Sequence, residues 1–178
     1  MRTLIAFAVL LCTFVAGPAA AASKAEIDAK TKAALTAFYE HSSAGKELVQ
    51  KSQGMLVFPE VIKAGVGIGG EYGEGKLIEG GKTTGYYNIA AASIGFQLGA
   101  QIKSQIILFM TQDSLNQFKR SEGWKAGVDG SVALVTLGAG GEIDSNNIKD
   151  PIIGFIFSNK GLMYNLSLEG SKITRLNK

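Results

Sequence analysis

The chain has one cysteine and one histidine in 178 residues, and each scarcity excludes a kind of chemistry. With only Cys12 there is no disulfide framework and no cysteine-rich zinc site. With only His41 there is no two-histidine metal site, and any imidazole-based acid–base mechanism would rest on that single side chain. Charge of one sign is also missing: 18 basic residues face 15 acidic ones, too even a balance to imply a nucleic-acid partner. Glycine, by contrast, is plentiful at 23 residues, nearly twice the usual share of ~7%. That excess points to turns, bulges and closely packed strands rather than to long helices. A hydrophobic content of 46% is ample for a core and excludes a disordered or collagen-like chain, and the length fits one domain.

The first residues read as an address. Met1-Arg2-Thr3 is a short positive start, Leu4–Val15 is an unbroken apolar run, and Ala19–Ala22 supplies small residues for cleavage. This is the layout of a secretory signal peptide over residues 1–22, and the run is short for a membrane-spanning helix. Cleavage is expected near Ala22, which places the mature protein in the periplasm or outside the cell. Lipidation at Cys12 is the competing reading, disfavoured because bulky Leu11 precedes it.

Residues 23–53 form the helical part. Ile27, Ala34, Leu35 and Phe38 recur at helical spacing, Lys24, Lys30 and Lys32 cluster early, and Ser42–Gly45 predicts a break before a second short helix over 46–53. From Gly54 to the end at residue 178 the pattern is β-rich. Met55–Phe58 predicts a buried strand stopped by Pro59, and Lys63–Gly75 alternates apolar residues with glycine. Ser93–Lys103 keeps period two over eleven residues, which only a strand uses, and Ile106–Met110 has the continuous apolarity of a strand buried on both faces. Thr111 is placed to cap a short helix reaching Arg120, with Leu115 and Phe118 inward. Val128, Val132 and Leu134 predict a further strand, and Trp124 a partly buried anchor. Pro151–Ser158, the turn Asn159-Lys160-Gly161 and a return strand from Leu162 predict a hairpin. The expected fold is α+β: a single domain, mostly an antiparallel β barrel or sandwich, with an N-terminal amphipathic helix and one short helix inserted between strands.

Several motifs are weaker than they look. Gly65–Gly70 contains a literal G-x-G-x-x-G, but Glu71-Tyr72-Gly73-Glu74-Gly75 follows instead of a helix and sets carboxylates where phosphate would lie. His41 has no nucleophile and carboxylate converging on it in the sequence, so no catalytic residues are assigned and the chain is not expected to be an enzyme. Asp144–Asp150 could offer oxygens to a hard cation, yet it reads as an ordinary loop before Pro151, and no metal or cofactor is expected. An outer-membrane barrel is argued against by the two helical stretches and the continuous run at Ile106–Met110.

The blocks Gly54–Gly65, Gly67–Gly75, Gly85-Tyr86-Tyr87-Asn88, Gly95–Gln101, Lys160–Leu162 and Ser167–Gly170 resemble, in order, those of the SYLF-domain family, a lipid-binding family also named for a yeast actin-binding member. The resemblance implies a β-rich domain whose N-terminal helical segment engages phosphoinositide membranes in eukaryotic members. Actin and phosphoinositides are poor candidates for a secreted bacterial protein. The expected function is therefore non-catalytic binding of anionic lipid or a membrane surface in the bacterial envelope. Ile27, Leu35 and Phe38 would supply apolar contact, and Lys24, Lys30 and Lys32 would meet phosphates. Two alternatives remain. In one, these apolar residues simply pack on the sheet while the lysines are solvated. In the other, the protein is a structural or protein-interaction module of the periplasm without a lipid ligand.

Overall fold

The structure, a computed structural model, describes residues 21–135, 149–158, 161–162, 168 and 170–178. The expected leader over residues 1–20 with Cys12, most of the Asp144–Asp150 cluster, and the return strand at 163–167 and 169 lie outside the described residues.

Helix α1 runs Lys24–His41 and α2 runs Ser43–Lys51. Ser23 starts α1 by accepting the Glu26 amide on its hydroxyl at 3.1 Å. Ser42, extended at φ −147°, ends α1 and in turn caps α2 through the Gly45 amide at 2.9 Å. The second helix thus begins three residues earlier than the glycine suggests, because the break is made by a capping serine. Gly45 sits inside the corner, where a Cβ would collide with the Phe38 ring.

Two very long strands follow, β1 (Gly54–Glu79) and β2 (Lys82–Phe109), paired antiparallel from Gly54↔Phe109 to Glu79↔Lys82. The turn between them is Gly80-Gly81, both at positive φ (54° and 78°), which the sequence reading did not single out. Two expectations are corrected. Pro59 does not stop the first strand: the ladder passes it by a bulge between Phe58 and Val61, which accommodates a residue lacking an amide donor. The segments 93–103 and 106–109 are one strand, not two. The G-x-G-x-x-G lies inside β1 and no helix follows it, as the strand reading requires.

Thr111 caps α3 (Gln112–Arg120), whose Leu115 and Phe118 are buried. Then come β3 (Trp124–Lys125), β4 (Ala133–Leu134), β5 (Ile152–Ser158), β6 (Gly161–Leu162) and β7 (Lys172–Leu176). Trp124 is 1% exposed, a full core residue rather than a partly buried anchor. Val128 is not in a strand: it sits at 77% exposure in the turn after β3, held by amides bonding back to the Lys125 carbonyl. The hairpin is present as β5–β6, with Phe157 opposite Leu162. The second edge of β2 carries β7 at residues 86–90 and β5 at 104–109, while β4 lies parallel to β5, so the mostly antiparallel sheet is mixed.

Period-two alternation sends successive residues of this ribbon into two cores. Leu56, Phe58, Ile107 and Phe109 join Leu77, Tyr87, Ile89, Phe118 and Trp124 on one side. Met55, Val57, Ile106 and Leu108 join Phe155, Phe157 and the helices, through Ala34, Phe38 and Leu48, on the other. Strand β5 is buried on both faces. The first core closes because the β1–β2 ribbon doubles back: Gly73 lies over Glu60 and Val61, and Gly75 over the Val57 carbonyl and Phe58.

The doubling makes a contrast along one strand. A Cβ on Gly73 would stand 2.6 Å from the Glu60 carbonyl oxygen, whereas one on Gly70 would meet only the Ala91 carbonyl oxygen at 3.5 Å. Gly73→Ala should therefore lower unfolding stability by about 1–3 kcal/mol in urea titration. Gly70→Ala should stay within about 0.5 kcal/mol.

Candidate functional site

Helix α1 lies across β1 with Ile27, Thr31, Ala34 and Phe38 beneath it. Phe38 meets Phe155 edge-on at 4.9 Å and Phe157 at 5.4 Å between ring centroids. Polar contacts hold the helix at its other end. Asp28 accepts the Lys76 ammonium at 2.7 Å and lies 3.4 Å from the Tyr86 hydroxyl. Lys24 stands 5.9 Å above the Tyr86 ring, a cation–π distance.

In its middle α1 leaves the sheet incompletely covered. Lys30 bridges to Glu60 at 2.7 Å and to Glu26 at 2.9 Å, and a cleft opens on either side of that bridge. The larger, about 390 Å³, is lined by Ala33, Ala34 and Ala37 of α1 and by Ile102, Ser104 and Phe157 of the sheet. The smaller, about 290 Å³, is lined by Ile27, Ile62, Tyr72, Gly73 and Glu74, with Ala21 and Ala22 at its rim. Three alanines on the facing side of the helix are too short to fill the gap, which explains the larger cleft. Between the two lies Ile62 opposite Ile102, cross-strand partners that remain 45% and 60% exposed. Tyr72, at 49% exposure, donates its hydroxyl hydrogen bond to Glu74 at 2.9 Å. Glu74 in turn takes the Lys178 ammonium at 2.8 Å.

The six residues singled out from the sequence divide into distinct groups. Ile27 and Phe38 are each 1% exposed, sealed against the sheet, and Leu35 packs at the edge of the same core. Lys24 and Lys32 are exposed. Lys30 borders both clefts but shares its charge with two carboxylates. Ile62, Ile102 and Tyr72 were missed. Ile62 and Ile102 stand in alternating strand patterns like those of their buried neighbours, and nothing local marks where the helix stops covering them. His41 sits on α1 with its Nδ1 2.7 Å from the Ala37 carbonyl oxygen, one turn back. Among the described residues no group of His, Cys, Asp and Glu is placed to hold a metal ion.

Electrostatics around Lys30 give a testable consequence. Hydrogen bonds to Glu60 and Glu26 hold its ammonium above the ordinary lysine range. A pKa raised on folding stabilises the protein fully below the unfolded value, about 10.4, and that contribution fades as pH rises through the folded one. In alkaline titrations followed by circular dichroism, Glu60→Gln should make this loss of stability smaller and complete at lower pH than in the unaltered chain, with its onset unchanged.

The model of the family described as Ysc84, Las17-binding protein actin regulator, matches residues 90–178, half of the chain. No curated protein matches it. The matched half carries β2 from Ala90 onward, α3 and strands β3 to β7, including Ile102 of the cleft floor, while α1, α2 and β1 precede it. The chain therefore belongs to the Ysc84 family, the SYLF-domain family its sequence blocks resemble, which is associated with lipid binding and with actin-related roles.

Proposed function

We propose that the protein binds lipid without catalysis, through the surface on which the clefts beside α1 open, and that it does so in the bacterial cell envelope. The observation that carries the reading is the exposed Ile62–Ile102 pair, lying between two clefts and beside the docked helix. Paired β-branched side chains left in water are a free-energy cost that an acyl chain would remove. The family's association with lipid binding agrees with this, and so do the exposed Lys24 and Lys32 on the helix above. Lys30 contributes less attraction than the sequence suggests, because Glu26 and Glu60 already neutralise it.

In this mechanism α1 stays docked. Ile27 and Phe38 form part of the scaffold, while Ile62, Ile102 and Tyr72 make the apolar contact. Lys24 and Lys32 meet anionic headgroups, each contributing about 1 kcal/mol near such a surface. The attachment is accordingly weak and salt-sensitive. The leader-like first 22 residues support an envelope location.

Co-sedimentation with anionic and with neutral vesicles tests the reading. The chain should pellet with anionic vesicles at low salt and be released at high salt. The double variant Ile62→Asp/Ile102→Asp should bind about tenfold more weakly, since half-burial of two isoleucines is worth roughly 1.5 kcal/mol. Binding to neither vesicle at low salt would overturn the proposal and leave a protein-interaction module as the better account.

A further inference from the structure

Between the two halves of the doubled ribbon lies a group of charges that the surface reading leaves unused. Glu71, on the returning half of β1, meets the Lys103 ammonium at 2.7 Å and the Lys63 ammonium at 3.5 Å. The Lys103 side chain is 1% exposed, Glu71 10% and Lys63 15%. Among the described residues one carboxylate stands against two ammonium groups, so this group carries an excess positive charge away from bulk water, which is costly unless something compensates it.

Strand alternation sets Gln105 on the same face of β2 as Lys103, two residues further on. Gln105 is 0% exposed, and among the described residues neither its Nε2 nor its Oε1, both buried, has a hydrogen-bond partner. Its ladder neighbours, Phe58 and Ile156, offer no polar side chain. A carboxamide brings two donors and an acceptor, and native interiors rarely leave such a group unsatisfied. An excess cation and an orphaned amide on one face therefore make the same demand: an anion that accepts from Nε2 and Lys103 and returns a hydrogen bond to Oε1.

We propose that this interior position binds a phosphate group, either inorganic phosphate or a phosphate monoester, held by Lys103, Lys63 and Gln105. Such a group neutralises the excess charge, and a retained P–OH donates to Gln105 Oε1, which a fully substituted or hydroxyl-free anion cannot do. Glu71 keeps the two ammonium groups together in the ligand-free chain. Lys63, the most exposed of the three side chains at 15%, marks the side from which a ligand reaches the group. The site stands apart from the vesicle-binding surface, and neither requires the other.

The test is calorimetric titration and thermal unfolding of the full chain with two probes: inorganic phosphate, and a single-chain lysophosphatidate below its micelle concentration. Saturable binding with a raised midpoint is expected for at least one of them. Response to phosphate alone assigns a free-anion site, and response to lysophosphatidate alone a lipid-headgroup site. Gln105→Leu should weaken binding about tenfold, the loss of a hydrogen bond to a charged group. The same variant should leave the ligand-free chain as stable as before, or more so, because the orphaned amide is gone. Lys63→Met, at the most exposed of the three charges, should weaken binding similarly and does not depend on the glutamine variant folding. If neither probe shifts the unaltered chain, or if both variants bind as it does, the inference is wrong. Vesicle binding without response to either probe overturns this site and leaves the surface reading standing, and the reverse result overturns only the surface reading.

Discussion

Everything in this fold depends on two backbones being able to touch. The β1–β2 ribbon is far longer than a single sheet layer needs, and it becomes a closed core only by returning over its own first half. At Gly73 and Gly75 the returning strand meets the backbone of residues 57–61 with no space for a side chain. Hydrophobic burial of Leu56, Phe58, Leu77, Tyr87 and Ile89 drives the closure, but glycine permits it. Without that approach those residues would face solvent on two arms of an open hairpin.

The doubling also organises what remains. It leaves the outer face of the first half free for α1 and α2, so the second core forms between helix and sheet around Phe38, Phe155 and Phe157. Because α1 is lined with alanine where it crosses the sheet, the cover is incomplete, and clefts open on both sides of the Lys30–Glu60 bridge. The same folding-over traps Glu71 against Lys63 and Lys103 in the interior. The apolar outer surface and the charged inner group are thus two consequences of one bend.

Burial also decides which of the helix residues can act at a surface. Helical spacing correctly groups Ile27, Ala34 and Phe38 on one face, and that face is spent on the sheet. Spacing alone cannot distinguish a face kept for lipid from a face kept for the protein's own core, since both need apolar residues every third or fourth position. Lys30 illustrates the same ambiguity for charge: its second carboxylate, Glu60, is thirty residues away in sequence and adjacent in space. Exposed apolar contact passes instead to Ile62, Ile102 and Tyr72, whose local patterns resemble those of buried strand residues.

Local chemistry was enough to write the helices and most of the strands. Ser23, Ser42 and Thr111 cap helices because their hydroxyls reach the amides three residues on, and the two-residue period from 93 to 103 admits only a strand. These are interactions within a few positions of the chain, so they are visible in its order. The passage of β1 beyond Pro59, the fusion of two strand segments into β2, and the burial of Trp124 were decided by pairing and packing with distant partners. So were the positions of Lys103 and Gln105, polar residues in a strand whose face becomes interior only when the ribbon returns over it. A sequence records which side of a strand a residue takes, whereas what lies against that side is fixed by contacts between residues far apart along the chain.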